Sequence, residues 1–205
     1  MAAPSVTNLI KTGAKVWYAP VGESLPDETD VAYDGAWGGN WAQIGYTKAP
    51  LTLAYESEEL DLAVEEVLAS VKRFRIGERL TLETVLAEVT AAYLQLAAGE
   101  QTAVTETAQG AAQDAYEETG LGGIVQLQEE SWGFEGLFVD ADGADQPIRV
   151  FVHKATATLN GALEFSKKSS DYPGIPLQIK ALADTTQSAG EELMIWQRVT
   201  DEKSG

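Results

Sequence analysis

The chain has 205 residues, 44% of them hydrophobic, which is enough for a core and within reach of a single β-rich domain with extra arms. Its 32 acidic residues outnumber 14 Lys and Arg to leave a net charge of -18, a sign that repels a phosphate backbone and argues against nucleic acid as an affinity ligand. With no cysteine, a disulfide framework and a thiolate metal site are excluded, and the absence of a long apolar run or a signal-like N-terminus predicts a soluble chain made in a cytoplasm.

In chain order, Met1 to Thr12 reads as a mixed arm, frayed or ordered on a neighbour. Lys15 to Pro20, KVWYAP, combines β-branched and aromatic residues and stops at a proline, so a first strand is expected there. Val21 to Gly35 reads as an acidic loop punctuated by Gly22 and Pro26. In Ala36 to Thr47, AWGGNWAQIGYT, Trp37 and Trp41 flank two glycines. They form either a stacking platform for a sugar or base, or a glycine-rich turn with its aromatic ends buried against a sheet or a neighbouring subunit.

The stretch from Ile44 to Gly99 organises the rest. Leu51, Leu53 and Tyr55 share one parity, whereas Leu60, Leu62 and Val64 share the other. Side chains alternate with a period of two along a strand, so the slip across Glu56 to Glu59 predicts a bulge, a turn or a change of sheet. Leu68 to Ile76 is strand-like and holds the basic cluster Lys72, Arg73 and Arg75, for which salt bridges to the Glu56 to Glu66 segment are expected rather than a nucleic-acid contact. Arg79 to Glu88 fits alternation and helical spacing equally well. Thr90 as N-cap and Gly99 as stop predict a short helix from Ala91 to Ala98.

Gln101 to Gly123 is poor in large apolar residues and reads as a loop or hairpin excursion. Strands are expected at Ile124 to Gln128, Ser131 to Val139 and Ile148 to Ala155. The acidic run from Asp140 to Pro147 joins the last two as an Asp-Gly hairpin, since its Gly143 and Phe151 fall where a calcium loop would need other residues. Thr156 to Phe165 is expected to continue as strand around a tight turn at Asn160-Gly161. Lys167 to Gly174 reads as loop, Ile175 to Leu182 as strand, and Glu191 to Thr200 as a last strand that could pair with its own sheet or with another chain.

Catalytic material is thin. His153 is the single histidine, which leaves no triad or multi-histidine metal site. With 32 acids, adjacent carboxylates such as Glu58 with Glu59 carry almost no information about glycosidase chemistry. No phosphate-binding glycine loop, dinucleotide fingerprint or nucleophile elbow occurs. No cofactor and no enzymatic activity are expected.

The order VWYAPVGESLP, GAWGGNWAQIGYT, acidic alternation, VKRFRIGERLTLETVLAEVTAAYLQLAAG, RVFVHKATAT and LEFSKKSSDYPGIPLQIKALAD resembles the major tail tube proteins of long-tailed bacteriophages, from about Lys15 to Asp184. That resemblance implies a mainly β fold, sandwich-like or barrel-like, with one flanking helix. The expected division is an arm at 1–14, a tail tube domain at 15–187 with its loop at 101–123, and a C-terminal strand or arm at 188–205. It further implies a virion tail component, made in the host cytoplasm, that self-assembles into stacked hexameric rings around a tape-measure protein. Such a tube ends at a tail terminator and at distal tail or baseplate proteins, lets DNA pass without specific binding, and does not insert into membrane. Arms and long loops would bridge rings. Glu56, Glu58, Glu59, Asp61, Glu65 and Glu66 are candidates for the lumen or for salt bridges between rings, and Trp37, Trp41 and Trp196 for aromatic contacts between subunits. Two other readings stand beside this one: the inner tube of a contractile injection machine, and a monomeric carbohydrate-binding β-sandwich using Trp37 and Trp41.

Overall fold

A computed structural model describes residues 13–27, 31–100, 103–139, 145–163 and 172–199. Ten strands and one helix follow in the order β1 (Lys15–Pro20), β2 (Ala42–Ile44), β3 (Thr52–Leu62), β4 (Lys72–Leu86), α1 (Ala91–Ala98), β5 (Thr105–Thr107), β6 (Tyr116–Glu118), β7 (Glu129–Val139), β8 (Asp145–Leu159), β9 (Ile175–Ala181) and β10 (Ile195–Arg198). Eight of them form one antiparallel sheet in the order β2-β1-β7-β8-β9-β4-β3, with β10 also on β8, and β5 with β6 form a separate two-stranded sheet. The fold is mainly β, and the sheet does not close. It coils until a single bridge, Thr47 with Leu86, joins the segment after β2 to the end of β4.

Coiling follows from where the apolar side chains lie. Val16 and Ile44 at one end of the sheet share one core cluster with Leu80, Leu82, Leu177 and Ile179 near the other, together with Trp132, Phe134 and Val152 from the middle. A sheet that buries one face against itself has to curl, and each large side chain so buried contributes roughly 1.5–3 kcal/mol. A bulge in β8 keeps the apolar face continuous. Glu130 faces Ala155 and Trp132 faces Val152, so β8 holds one extra residue opposite Ser131. Val150 and Val152 on one side of the bulge, and Ala155 and Ala157 on the other, therefore enter the same core despite their opposite parity.

The helix forms where local chemistry dictates. The Thr90 side chain accepts from the Tyr93 N–H, and Gly99 adopts a left-handed conformation at φ 68° with its N–H on the Gln95 and Leu96 carbonyls. Leu96 and Ala97 join the main core. The residues that fit either period, Arg79 to Glu88, belong to β4 as far as Leu86, because Leu82 and Leu86 face Ile179 and Ile175 of β9 and Leu80 joins them in the core.

Several expectations are corrected. Ile124 to Gln128 is not a strand: Val125 is fully exposed, and no ladder partner lies beside the segment that leads from the β5–β6 excursion to β7. The strand expected from Leu68 begins at Lys72, since residues 63–71 are used by the hairpin turn. β8 ends at Leu159, and 160–163 is not strand. The last strand is confined to Ile195–Arg198 and pairs at home with β8. Met1 to Thr12, the centre of the Asp140 turn, most of Lys167 to Gly174 and the end of the C-terminal tail lie outside the described residues.

Candidate functional site

The feature that departs most from an ordinary β domain is the hairpin of β3 and β4. All of β3 is exposed, and eleven residues at about 3.4 Å each give it a reach of ~37 Å. Its register shifts once: Glu58 faces Gly77 and Glu59 faces Arg75, which leaves Ile76 as the extra residue. Of the bulge, turn or change of sheet expected from the parity slip in β3, a bulge is what occurs, and the partner strand carries it.

Its effect is to match the two apolar patterns. Near the body, Leu53 faces Leu82 and Tyr55 faces Leu80, on the side of the sheet that holds the core. Directly opposed residues share a face, so beyond the bulge the pair Leu60 and Phe74 lies on the other side. The core-side face is there taken over by Glu59, Asp61, Arg73 and Arg75. The apolar stripe thus crosses the ribbon.

The six acidic candidates are divided accordingly. Asp61 accepts from Arg73 Nε at 2.6 Å, and Arg73 also lies 3.3 Å from Glu59. The hydrogen bond from Arg73 holds the Asp61 carboxyl below its ordinary range. Glu56 lies 3.8 Å from Arg79 on the opposite face, and Arg75 donates to Glu78 at 2.7 Å. Salt bridges between the basic cluster and the acidic segment are thus present, and being exposed they add little to stability. Glu65 and Glu66 sit in the turn at the tip, and with Glu58 they join no ion pair among the described residues.

At the base of the hairpin the coiled sheet leaves an apolar cleft of about 500 Å³ whose lining includes Ala14, Leu53, Phe134, Ile148, Val150 and Trp196. Trp196, on β10 opposite Val150, is 53% exposed. Trp37 and Trp41 differ, being 4% and 8% exposed. Trp37 stacks on Trp17 at 4.8 Å, Trp41 meets it edge-on at 5.1 Å, and Phe151 completes a second small core on the other face of the sheet. These rings are buried in their own chain, so they form no sugar platform and leave little of either surface for a neighbouring copy.

Beneath them lies an arrangement that the sequence reading missed. Arg149 and Glu135, both 0% exposed, face each other across β7 and β8, with Nε and Nη2 at 2.9 and 2.8 Å from Oε1. Arg149 Nη2 also donates to the Val31 carbonyl at 2.7 Å, and the Asp34 N–H donates to Glu135 Oε2 at 3.1 Å, so the pair ties the 31–35 loop onto the sheet. A signal existed: both residues stand seven positions from Asp142, the centre of the expected hairpin turn.

His153 lies near a small cavity of about 200 Å³ with Glu23 and Asp184. Burial pushes its pKa down, against the opposing pull of Asp184 and Glu191. Hydrogen bonds from Gln187 and Thr186 hold Asp184 at about 2. Among the described residues, no group of three His, Asp or Glu side chains is placed to hold a metal ion, and no helix is long and apolar enough to cross a membrane.

A family model described as phage tail tube protein matches residues 1–200 of the chain. A comparison with curated proteins finds no match.

Proposed function

Because the chain belongs to the phage tail tube protein family, and is thus a structural rather than catalytic component of the virion tail that assembles with its own copies into a tube, we propose that it polymerises as stacked hexameric rings around a channel for genome delivery. The family match over 1–200 carries this reading. The structure supplies parts that suit it: a coiled antiparallel sheet with outer strand edges on β2 and β3, and a long exposed hairpin. Joining sheets edge to edge around a ring would satisfy backbone groups that otherwise invite aggregation, and cyclic symmetry makes that a closed rule of assembly.

Charge suits the channel. Six copies at -18 each would carry -108, and acidic walls give DNA no attractive site at which to dwell. We assign Glu56, Glu58, Glu59, Asp61, Glu65 and Glu66 to the lumen or to contacts between rings. Glu58, Glu65 and Glu66 are the strongest of the six, since the others already have arginine partners on the hairpin. The tape-measure protein inside the tube, the terminator at one end and the distal tail proteins at the other are the remaining partners of this reading.

The test is to exchange Glu58, Glu65 and Glu66 for Lys in assembling particles. Slower genome ejection or failed tube assembly is expected. Unchanged ejection with tubes of parental length would refute the assignment.

A further inference from the structure

We propose that the far half of the β3–β4 hairpin docks, by the face carrying Leu60, Leu62 and Phe74, into the apolar cleft beside Trp196 of a second copy of this chain. The proposal rests on the tube-forming reading above and adds to it which face of the hairpin binds and where it is received.

The first observation is the crossing of the apolar stripe. Had Leu60, Leu62 and Phe74 continued the stripe begun by Leu53 and Tyr55, they would be an overhang of the chain's own core. Leu60 and Leu62 lie on the other side by their own parity on β3, and the register shift at Ile76 brings Phe74 to that same side, where each of the three is close to half exposed. The core-side face of the same segment is occupied by the Glu59, Asp61 and Arg73 group, whose charges satisfy one another in solvent. Only one face of the far hairpin is therefore prepared to lose water.

The second observation is the cleft. Among the described residues its lining includes no charged side chain, in a chain with 32 acidic residues. Copies that each carry -18 repel, so two of them approach at least cost where one offers a surface free of carboxylates. The hairpin face meets that condition from its side. Beyond Glu58 the charge it presents is Lys72, which lies 4.8 Å above the Phe74 ring and would be drawn to an acidic partner.

The occupant is another copy because the chain cannot fill its own cleft with this strip. Leu53 lines the cleft, and Leu62 lies nine residues further along the same strand, ~30 Å away at the usual rise and on the opposite face. Ridge and cleft are different surfaces of one molecule, so their contact is head-to-tail and propagates from copy to copy.

The chain contains no cysteine, so an introduced pair reports on one contact. Leu53→Cys with Leu62→Cys cannot close within a chain at that separation, and a disulfide between them joins two copies. Oxidised during assembly and run on a denaturing gel without reductant, this variant is expected to give a ladder of covalent oligomers. The Leu53→Cys, Asp61→Cys variant, its second thiol on the other face, is expected to give at least tenfold less. In parallel, Leu60→Asp with Phe74→Asp should keep the parental melting curve, since the sites are exposed, and should stop assembly. Tubes from the Leu53→Cys, Leu62→Cys protein without a ladder, equal ladders from both pairs, or normal tubes from the Asp variant would overturn the docking mode and leave the tube reading intact. Failure of the parent chain to assemble at all would bring down both.

Discussion

The Trp37 ring lies against Gly133 of β7 so closely that a Cβ on that glycine would stand 2.1 Å from it. No side chain fits there. Trp17, on the neighbouring strand, and Phe151 wall the ring in from the sides, so the 31–41 segment is pressed onto the sheet through a gap that only a missing side chain provides. Gly133→Ala should displace Trp37 and destabilise the fold by about 1–3 kcal/mol, the usual cost of overpacking. Urea unfolding followed by tryptophan fluorescence would read both effects.

Arg149→Met leaves the buried Glu135 carboxylate without its cation and removes the donor to the Val31 carbonyl. A loss of about 3–5 kcal/mol is expected, as for a buried pair broken on one side. Replacing both partners, Arg149→Met with Glu135→Leu, should recover much of that loss, because no unpaired charge remains. Denaturant midpoints of the two single variants and the double variant give the coupling.

Gly99→Ala meets two obstacles at once. The residue sits at φ 68°, and a Cβ would approach the Ala157 carbonyl oxygen to 2.4 Å. Placing a Cβ in the left-handed region costs roughly 1–2 kcal/mol, and the contact with β8 adds to it. Thr90→Ala, which removes only the cap on the Tyr93 N–H, should cost about 0.5–2 kcal/mol. The order of the two melting temperatures checks the argument.

His153 makes stability depend on pH in a known direction. Its folded pKa lies below the ordinary value of 6.5, chiefly through burial, so the unfolded chain binds the proton more readily. The contribution is complete above 6.5 and is lost as pH falls from there toward the folded value. The melting temperature of the parent should fall more between pH 7 and 5 than that of His153→Gln. Asp184, held at about 2, acts in a separate window, its contribution being lost only as pH falls from 3.8 toward 2.

What could be read from the sequence was what local chemistry decides. Thr90 and Gly99 bounded the helix because a cap and a left-handed stop depend on neighbours within one turn. The parity slip between Tyr55 and Leu60 announced a bulge, a turn or a change of sheet, but neither which of these nor that Ile76 across the hairpin would carry the bulge, since register belongs to the pair of strands. Ile124 to Gln128 had strand composition but no edge to pair with, and composition does not supply a partner. Glu135 and Arg149 are charged residues in strands whose neighbours are apolar, and only the second layer formed by the 31–41 loop, which no local pattern announces, makes their face an interior. The acidic candidates were legible as a cluster, while their division between two faces required the register.

A chain that closes into rings and stacks them around a bore has a direct signature. Electron microscopy of the purified protein at high concentration, through axial views and the axial repeat, should show hollow tubes with six subunits around the axis. A monodisperse single chain under every condition of salt and concentration, or solid filaments without a channel, would rule out a ring-built tube.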